Sequence, residues 1–583
     1  MDFAVWAPTA GEVAVHVDGD ERPMTRDGDG WWRAPAGGPA HGTRYAFSVD
    51  GAGPCPDPRS LWQPDGVHAR SAVYDHARHA WGDAGWAGRP LAGAVIYELH
   101  VGTFTPAGTL AGAAERLDHL VDLGITHVEL MPLAAFDGTH GWGYDGVHLW
   151  AVHEPYGGPD ALKAFVDACH ARGLAVVLDV VYNHLGPSGN RLPQIAPYFA
   201  GHHHTPWGAA VNLDGPHSDG VREWIIGNAR SWLVDFHLDG LRLDAVHALR
   251  DDRALHILEE LSAEVDAWSA ALGRPLSLIA ESDRNDPATV TPRAAGGRGI
   301  HAQWNDDLHH ALHALLTGER HGYYGDFGDP ATLAHALTRM FVHDGGHSAF
   351  RGRRHGRPVD TATTPGWRFV CSLQTHDQVG NRARGDRLSP ALDPRLLRIG
   401  AGLLLSAPST PMLFMGEEWA AGTPWCYFTS FPDPELGRAV SEGRRGEFAG
   451  HGWDTEDVPD PQDPATFTGS RLDWGERERE PHAGMLAWYR ALIALRRTQP
   501  DIADPRLDRV RCAVDDDAGT IVVHRGGFRV VANLAEERRT VGLDAPVRAC
   551  ALASEDWGPE EGTVAPALPA RSLAVLAVGD APA

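Results

Sequence analysis

Three carboxylates stand out because each closes a short apolar run. Asp244 ends Gly240-Leu-Arg-Leu, Glu281 follows Leu276-Ser-Leu-Ile-Ala280, and Asp377 follows a run that begins near Arg368. Two carboxyl groups about 5–5.5 Å apart are what retaining glycoside hydrolysis requires, one to attack the anomeric carbon and one to protonate the leaving oxygen. The pair must hold opposite protonation states at one pH. Arg242 stands two residues before Asp244, on the same face of a strand, where its charge would hold Asp244 ionised. Glu281 follows Leu-Ile-Ala and is expected to be less solvated, which favours its neutral acid form. A single strand-end carboxylate could equally serve a structural ion pair. Three of them facing one mouth point to chemistry.

The elements that must position these groups begin near residue 94. Short, almost continuously apolar runs alternate there with helical stretches. The strand candidates are Val95–Phe104, His127–Pro132, Ala175–Asn183, Gly240–Val246, Leu276–Ser282, Gly299–Trp304, Arg368–His376 and Pro411–Glu417. Strands buried on both faces read as unbroken apolar runs, as parallel strands under helices do. Between them lie amphipathic segments such as Asp160–Arg172, with Leu162, Phe165, Val166 and Cys169 at helical spacing. Eight alternations predict an α/β protein built on a closed (β/α)8 TIM barrel over residues 91–498, with active residues at the strand C-termini. Insertions are expected near 184–220 and 318–365. Residues 1–90 carry alternating strands punctuated by glycine and proline (Phe3–Trp6, Val13–Val17, Tyr45–Val49), and read as an immunoglobulin-like, carbohydrate-binding-module-like β-sandwich. After a helix at 483–497, Thr520–His524, Phe528–Ala532 and Leu573–Val578 predict a second β-sandwich over 499–583.

Composition excludes several classes of partner. The 583 residues include 51 basic and 77 acidic side chains, a formal charge of −26. A surface that acidic repels phosphate backbones and anionic lipid, so neither nucleic acid nor a membrane is an expected partner. Lys163 is the sole lysine. Twenty tryptophans and eleven tyrosines suit a large core, and also flat platforms for sugar rings. Six scattered cysteines form no CxxC pair and are expected as buried thiols. No basic segment followed by an apolar one marks a signal peptide, so a cytoplasmic protein is expected. Phosphate-cradling loops are absent, and no cofactor is expected. His202-His-His204 lacks a carboxylate at ligand spacing, and Asn183 lacks an accompanying set of oxygen ligands. No metal is therefore expected at either.

Asp179-Val-Val-Tyr-Asn-His184, Gly240-Leu-Arg-Leu-Asp244, Ala280-Glu-Ser282 and Thr375-His-Asp377 resemble, in order and spacing, the four conserved regions of the α-amylase superfamily of glycoside hydrolases. The resemblance implies that Asp244 is the nucleophile, Glu281 the general acid/base and Asp377 the stabiliser of the sugar in subsite −1. It implies that Arg242, His184 and His376 contact that sugar and that Tyr144 stacks on it. Thr375 departs from the family, which usually has asparagine there.

A finer resemblance concerns the substrate. Tyr97-Glu-Leu-His-Val-Gly-Thr-Phe-Thr105, Gln303-Trp-Asn-Asp-Asp307, Gln378-Val-Gly-Asn-Arg382, Phe414-Met-Gly-Glu-Glu418, Gly443-Arg-Arg-Gly-Glu-Phe448 and Pro461-Gln-Asp-Pro-Ala-Thr-Phe467 are similar to the maltooligosyltrehalose trehalohydrolases of that superfamily. This implies action on maltooligosyltrehalose and α-1,4-glucan oligosaccharides, with trehalose released. The alternative within the superfamily is a glycogen branching or debranching enzyme, which differs at the + subsites. Trehalose selectivity would come from the + side of the cleft. Trp207, Tyr324, Phe350 and Arg351 lie in the two insertions that could wall it, and they are aromatic or bidentate groups suited to that task.

Overall fold

A computed structural model describes residues 3–34, 37–206, 208–449 and 458–579. Eight parallel strands close into a barrel, at Ile96–Leu99, His127–Leu130, Ala175–Val180, Gly240–Leu243, Ser277–Ala280, Ala302–Trp304, Phe369–Ser372 and Thr410–Phe414. Seven of the eight predicted runs contain a barrel strand, the eighth strand begins one residue before its run at Thr410, and each strand is shorter than its run. The runs overshoot because the barrel mouth is itself apolar: Val101–Phe104, for example, is a buried helical turn rather than strand.

Alternation along the strands divides the barrel interior into layers. Ile96, Val177, Ile279, Ala302, Val370 and Met412 pack together as one apolar cluster. Two residues further along their strands come Glu98, Asp179, Glu281 and Trp304, on the same inward face. The register places Asp179 beside Arg242, and Arg242 beside Ile279 on the next strand. An apolar plug therefore supports a charged layer, and the charged layer opens at the strand C-termini.

The flanking sheets are where the patterning places them. Strands at Ala4–Trp6, Trp31–Arg33 and Thr25–Arg26 form one antiparallel sheet, and Asp20–Pro23, Val13–Val17, Arg44–Val49 and Ser71–Ala72 form another. The C-terminal sheet has five strands in the order Arg511–Asp515, Thr520–Arg525, Phe528–Asn533, Ser572–Val578, Val547–Ala553. The helix predicted at 160–172 spans Gly158–Ala171, and that at 483–497 spans His482–Thr498. The 184–220 insertion folds into a hairpin of Phe199–Thr205 and Gly208–Val211. The 318–365 insertion holds the helix Pro330–Arg339 and a small ribbon of His347–Ser348 with Arg353–Arg354. All six cysteines are free thiols, four of them buried. Among the described residues no helix is long and apolar enough to cross a membrane.

Lys163 and Trp6 are among the residues that dock the N-terminal region on the barrel. Lys163, fully buried on the helix Gly158–Ala171, donates to the carbonyl of His76 at 3.1 Å and lies 5.5–5.6 Å from the ring centres of Tyr74, Trp81 and Phe236. The sole lysine is thus a cation inside an aromatic cage rather than a surface charge. Trp6 packs on the helix Ser218–Arg230 at Gly220, where an added methyl carbon would stand 2.2 Å from the indole.

That contact gives opposite signs for one substitution at two helical glycines. Gly220→Ala overpacks the interface and is expected to destabilise by about 1–3 kcal/mol. Gly443→Ala, on the helix Pro434–Ala449 with open space around the new methyl, is expected to stabilise by about 0.5–1 kcal/mol. Thermal unfolding midpoints of the two variants check this, and a Gly220→Ala midpoint at or above that of the wild type would refute the docking contact.

Candidate active site

The site is assembled around Arg242, which is fully buried in the fourth strand. Its Nη1 donates to Asp179 Oδ2 and to Asp244 Oδ1, both at 2.8 Å. Its Nη2 lies 3.7 Å from Glu281 Oε2. The guanidinium carbon Cζ lies 4.2 Å from the ring centre of Trp304. A buried cation needs this much company, because an uncompensated charge in a barrel core costs several kcal/mol.

Asp244 is held on both oxygens. Arg242 holds Oδ1, and Asn183 Nδ2 donates to Oδ2 at 2.7 Å and to the Asp244 carbonyl at 2.9 Å. Neither oxygen bears a proton-donating role, as an attacking carboxylate requires. Just beyond it the chain turns left-handed at Ala245 (φ 41°), a conformation rare for a residue with a side chain. The turn aims the Ala245 N–H at Glu281 Oε2, 2.5 Å away.

Glu281 differs from Asp244 in its surroundings. Burial pushes its carboxyl up to about 8, with Asp244, Asp377 and Asp306 adding to the rise and Arg242 opposing it. A carboxyl protonated near neutrality can donate to a leaving oxygen. Asp377 is the most open of the three, its side chain 42% exposed against 12% for Asp244 and 18% for Glu281. It accepts from Asn381 Nδ2 at 3.0 Å.

A chain of hydrogen bonds runs round the mouth to the same arginine. Glu98, buried in the first strand, accepts from the backbone N–H of His376 at 3.0 Å and pairs with His376 Nδ1 at 2.5 Å. His376 Nε2 meets the Tyr144 hydroxyl at 2.7 Å, and that hydroxyl donates to Asp179 Oδ2 at 2.6 Å. Burial opposes a charge on His376, but Asp377 and Glu98 outweigh it and raise the imidazole to about 9. It is therefore a cation at neutral pH. The Tyr144 and His376 rings lie 5.1 Å apart at 25°. Asp179 is raised to about 6 by burial and by Asp244, against the pull of Arg242. His184 lies between Asn183 Oδ1 (2.5 Å) and the carbonyl of Tyr144 (2.9 Å). Thr375 caps the short helix His376–Gly380, accepting from Gln378 N–H at 3.3 Å, so the hydroxyl at the departing position has a use.

Beside these groups opens a cleft of about 560 Å³, walled by Trp142, Tyr144, His184, Phe199 and Tyr427. That volume and aromatic lining suit a few sugar rings. Tyr144, which bonds Asp179, joins the cleft to the charged cluster.

The structure brings Asp244, Glu281, Asp377, Arg242, Tyr144, His184 and His376 together. The four insertion residues fare differently. Trp207 lies outside the described residues. Tyr324 is buried in its own insertion, hydrogen-bonded to His309 Nε2 at 3.1 Å and stacked on His313 at 4.3 Å, and so is corrected from cleft wall to packing residue. Its neighbour Tyr323 has the more open position and meets Phe350 edge-on at 5.9 Å. Phe350 is 53% exposed. Arg351 reaches Asp283, two residues past Glu281, at 3.4 Å. Sequence reasoning missed Glu98, Asp179, Asn183, Trp304 and Asp306 as site residues. Glu98 had a signal, as the one charge inside the apolar run Val95–Leu99. Asp306, raised to about 7 by burial and by Asp377, opens the helix Asp306–Thr317 and had none beyond its motif.

The histidine run also differs from its expectation. His202 and His203 each lie 3.0 Å from one oxygen of Asp214, the carboxylate that spacing alone did not single out.

The protonation of Glu281 fixes the sign of a pH effect. A general acid must carry its proton, so kcat/KM is expected to fall about tenfold per pH unit above about 8. A pH profile whose alkaline limb lies near pH 5 would contradict the assignment.

The matching family model is "Alpha amylase, catalytic domain", over residues 63–192. A malto-oligosyltrehalose trehalohydrolase of Arthrobacter ramosus is 59% identical over 536 residues, 91% of this chain and 92% of its own. One from Rhizobium sp. is 52% identical over 98% of this chain and 97% of its own. A Salmonella typhimurium protein provisionally named an alpha amylase, with a 1.4 Å crystal structure, superposes with a TM-score of 0.90 at 39% identity, covering 99% of this chain and 97% of its own. A 1,4-alpha-glucan branching enzyme of Pseudoalteromonas atlantica is 27% identical, over 73% of this chain and 62% of its own.

Proposed function

The chain belongs to the malto-oligosyltrehalose trehalohydrolase family, and on that premise we propose how its barrel mouth does the work. The protein is a glycosidase. It cleaves the α-1,4 bond next to the terminal trehalose of maltooligosyltrehalose, releasing trehalose and a maltooligosaccharide. The observation that carries the mechanism is the contrast between two carboxylates on one guanidinium. Asp244 accepts from donors on both oxygens, while burial keeps Glu281 protonated.

The reaction then takes two steps. Asp244 attacks C1 of the glucose in subsite −1 as Glu281 gives its proton to O4 of the departing trehalose. The C1–O4 bond breaks and a glycosyl ester on Asp244 forms. Water enters, Glu281 takes its proton, and the ester is cleaved with the α configuration retained. Asp377 and His376 meet hydroxyls of the −1 sugar, and Tyr144 stacks on its face. Asp244 and Asp377 face the developing oxocarbenium ion and stabilise its positive charge, while Arg242 and His376 hold the surrounding carboxylates in place.

The + side is proposed at the ends of strands five and six, where Phe350 and Arg351 overhang Asp283. An exposed ring next to an anchored guanidinium can stack on one glucose of trehalose and donate to the other. The branching-enzyme alternative has weaker support, since that relative is far more distant than the trehalohydrolases.

Product analysis tests this reading. Maltotriosyltrehalose should yield trehalose and maltotriose, with little turnover of maltopentaose or glycogen. Phe350→Ala should raise KM for maltotriosyltrehalose several-fold while leaving kcat within about twofold, the mark of lost uniform binding. Branch transfer on glycogen without trehalose release would overturn the proposal.

A further inference from the structure

We propose that His202, His203 and Asp214 form a binding site for a divalent transition ion such as Zn2+, on the hairpin that walls the cleft. The three side chains offer two imidazole nitrogens and a carboxylate oxygen within 4.8 Å of one another. Two nitrogens and one oxygen is a donor set that suits zinc, cobalt and nickel.

Consecutive residues on a regular strand point to opposite faces. Here the hairpin is bulged: Phe199 pairs with Val211 and His204 with Ala209, so three extra residues are accommodated on one side. The bulge turns His202 and His203 to the same side, with ring centres 4.3 Å apart. Both Nε2 atoms converge on one carboxylate, each 3.0 Å from a different oxygen of Asp214. Ligand atoms around a tetrahedral ion with bonds of about 2.1 Å stand about 3.4 Å apart. An ion would enter by opening each contact a few tenths of an ångström.

Asp214 is the anchored member. Its side chain is only 6% exposed, and its Oδ2 also accepts from the Asp252 N–H at 3.0 Å. The turn that carries it is fixed by Asn212, whose side-chain oxygen accepts from Gly215 N–H at 2.9 Å. The Asp252 carboxylate, 3.8 Å from His203 Nε2, is placed to be a fourth ligand or to hold a bound water.

The location gives such an ion a consequence. Phe199 and Ala209 of the hairpin line the cleft, and Asp252 follows the loop after Asp244. An ion at this point ties the cleft wall to that loop without touching the reacting carboxylates. It would steady the wall for longer glucans and leave the chemical step alone.

The test uses the untagged full-length protein, stripped with EDTA and dialysed. Zn2+ is titrated calorimetrically, and Co2+ by its visible absorption. One tight Zn2+ equivalent is expected, with binding weakened at least tenfold in His202→Ala and in His203→Ala and unchanged in His204→Ala. Trehalose release by the metal-free variants shows that they are folded. Absence of a tight equivalent in the wild type, or equal binding by the wild type and His203→Ala, would overturn the site and leave the histidines as a hydrogen-bonded clip on the hairpin.

Discussion

The burial of one guanidinium is the constraint on which the site depends. Arg242 has no exposure and faces three carboxylates and an indole ring. Removing it would leave those carboxylates to repel one another in a medium of low dielectric. Its position follows from barrel closure, because the register that sets Asp179 beside Arg242 also sets the fifth strand on the other side. The guanidinium does not treat its neighbours alike. It touches Asp244 at 2.8 Å and stands off Glu281 at 3.7 Å, and burial favours a proton on Glu281. The proposed division of labour between acid and nucleophile rests on this difference in surroundings.

The remaining charged groups make that arrangement rigid. Glu98, His376, Tyr144 and Asp179 form a continuous hydrogen-bonded path from the first strand to Arg242. Each link satisfies a polar group that would otherwise be stranded in the barrel. Beneath them the apolar layer of Ile96, Val177, Ile279, Val370 and Met412 leaves no room for the charged layer to sink. Glu129, also buried and inward, is pushed well above the ordinary carboxylate range by burial and by Glu98. That direction favours its neutral form.

Much of this was legible in the sequence, for identifiable reasons. Parallel barrel strands are buried on both sides, so Ala175–Val180 and Thr410–Phe414 announce themselves as apolar runs. Their last residues face the mouth, so Asp244 and Glu281 could be read off directly. Residues that act from one strand to the next were harder. Glu98 matters because His376, 278 residues later, folds onto it. The insertions were least legible. Tyr324 and Tyr323 are adjacent and chemically alike, and only the packing of His309 and His313 decides which one is buried. The C-terminal strands Arg511–Asp515 and Val547–Ala553 escaped notice, the first because half of it is exposed and the second because bulges break its alternation. A bulge likewise hid the convergence of His202 and His203 on Asp214.

In the proposed mechanism Asp244 forms the bond to sugar and Glu281 moves the protons. An α-maltosyl fluoride needs no acid to depart, so Glu281→Gln should still be glycosylated by it and then stall for want of a base. Peptide mass mapping after brief incubation is the direct measurement. A maltosyl adduct on Asp244 is expected. Maltose released with inverted configuration, and no adduct on that residue, would contradict it.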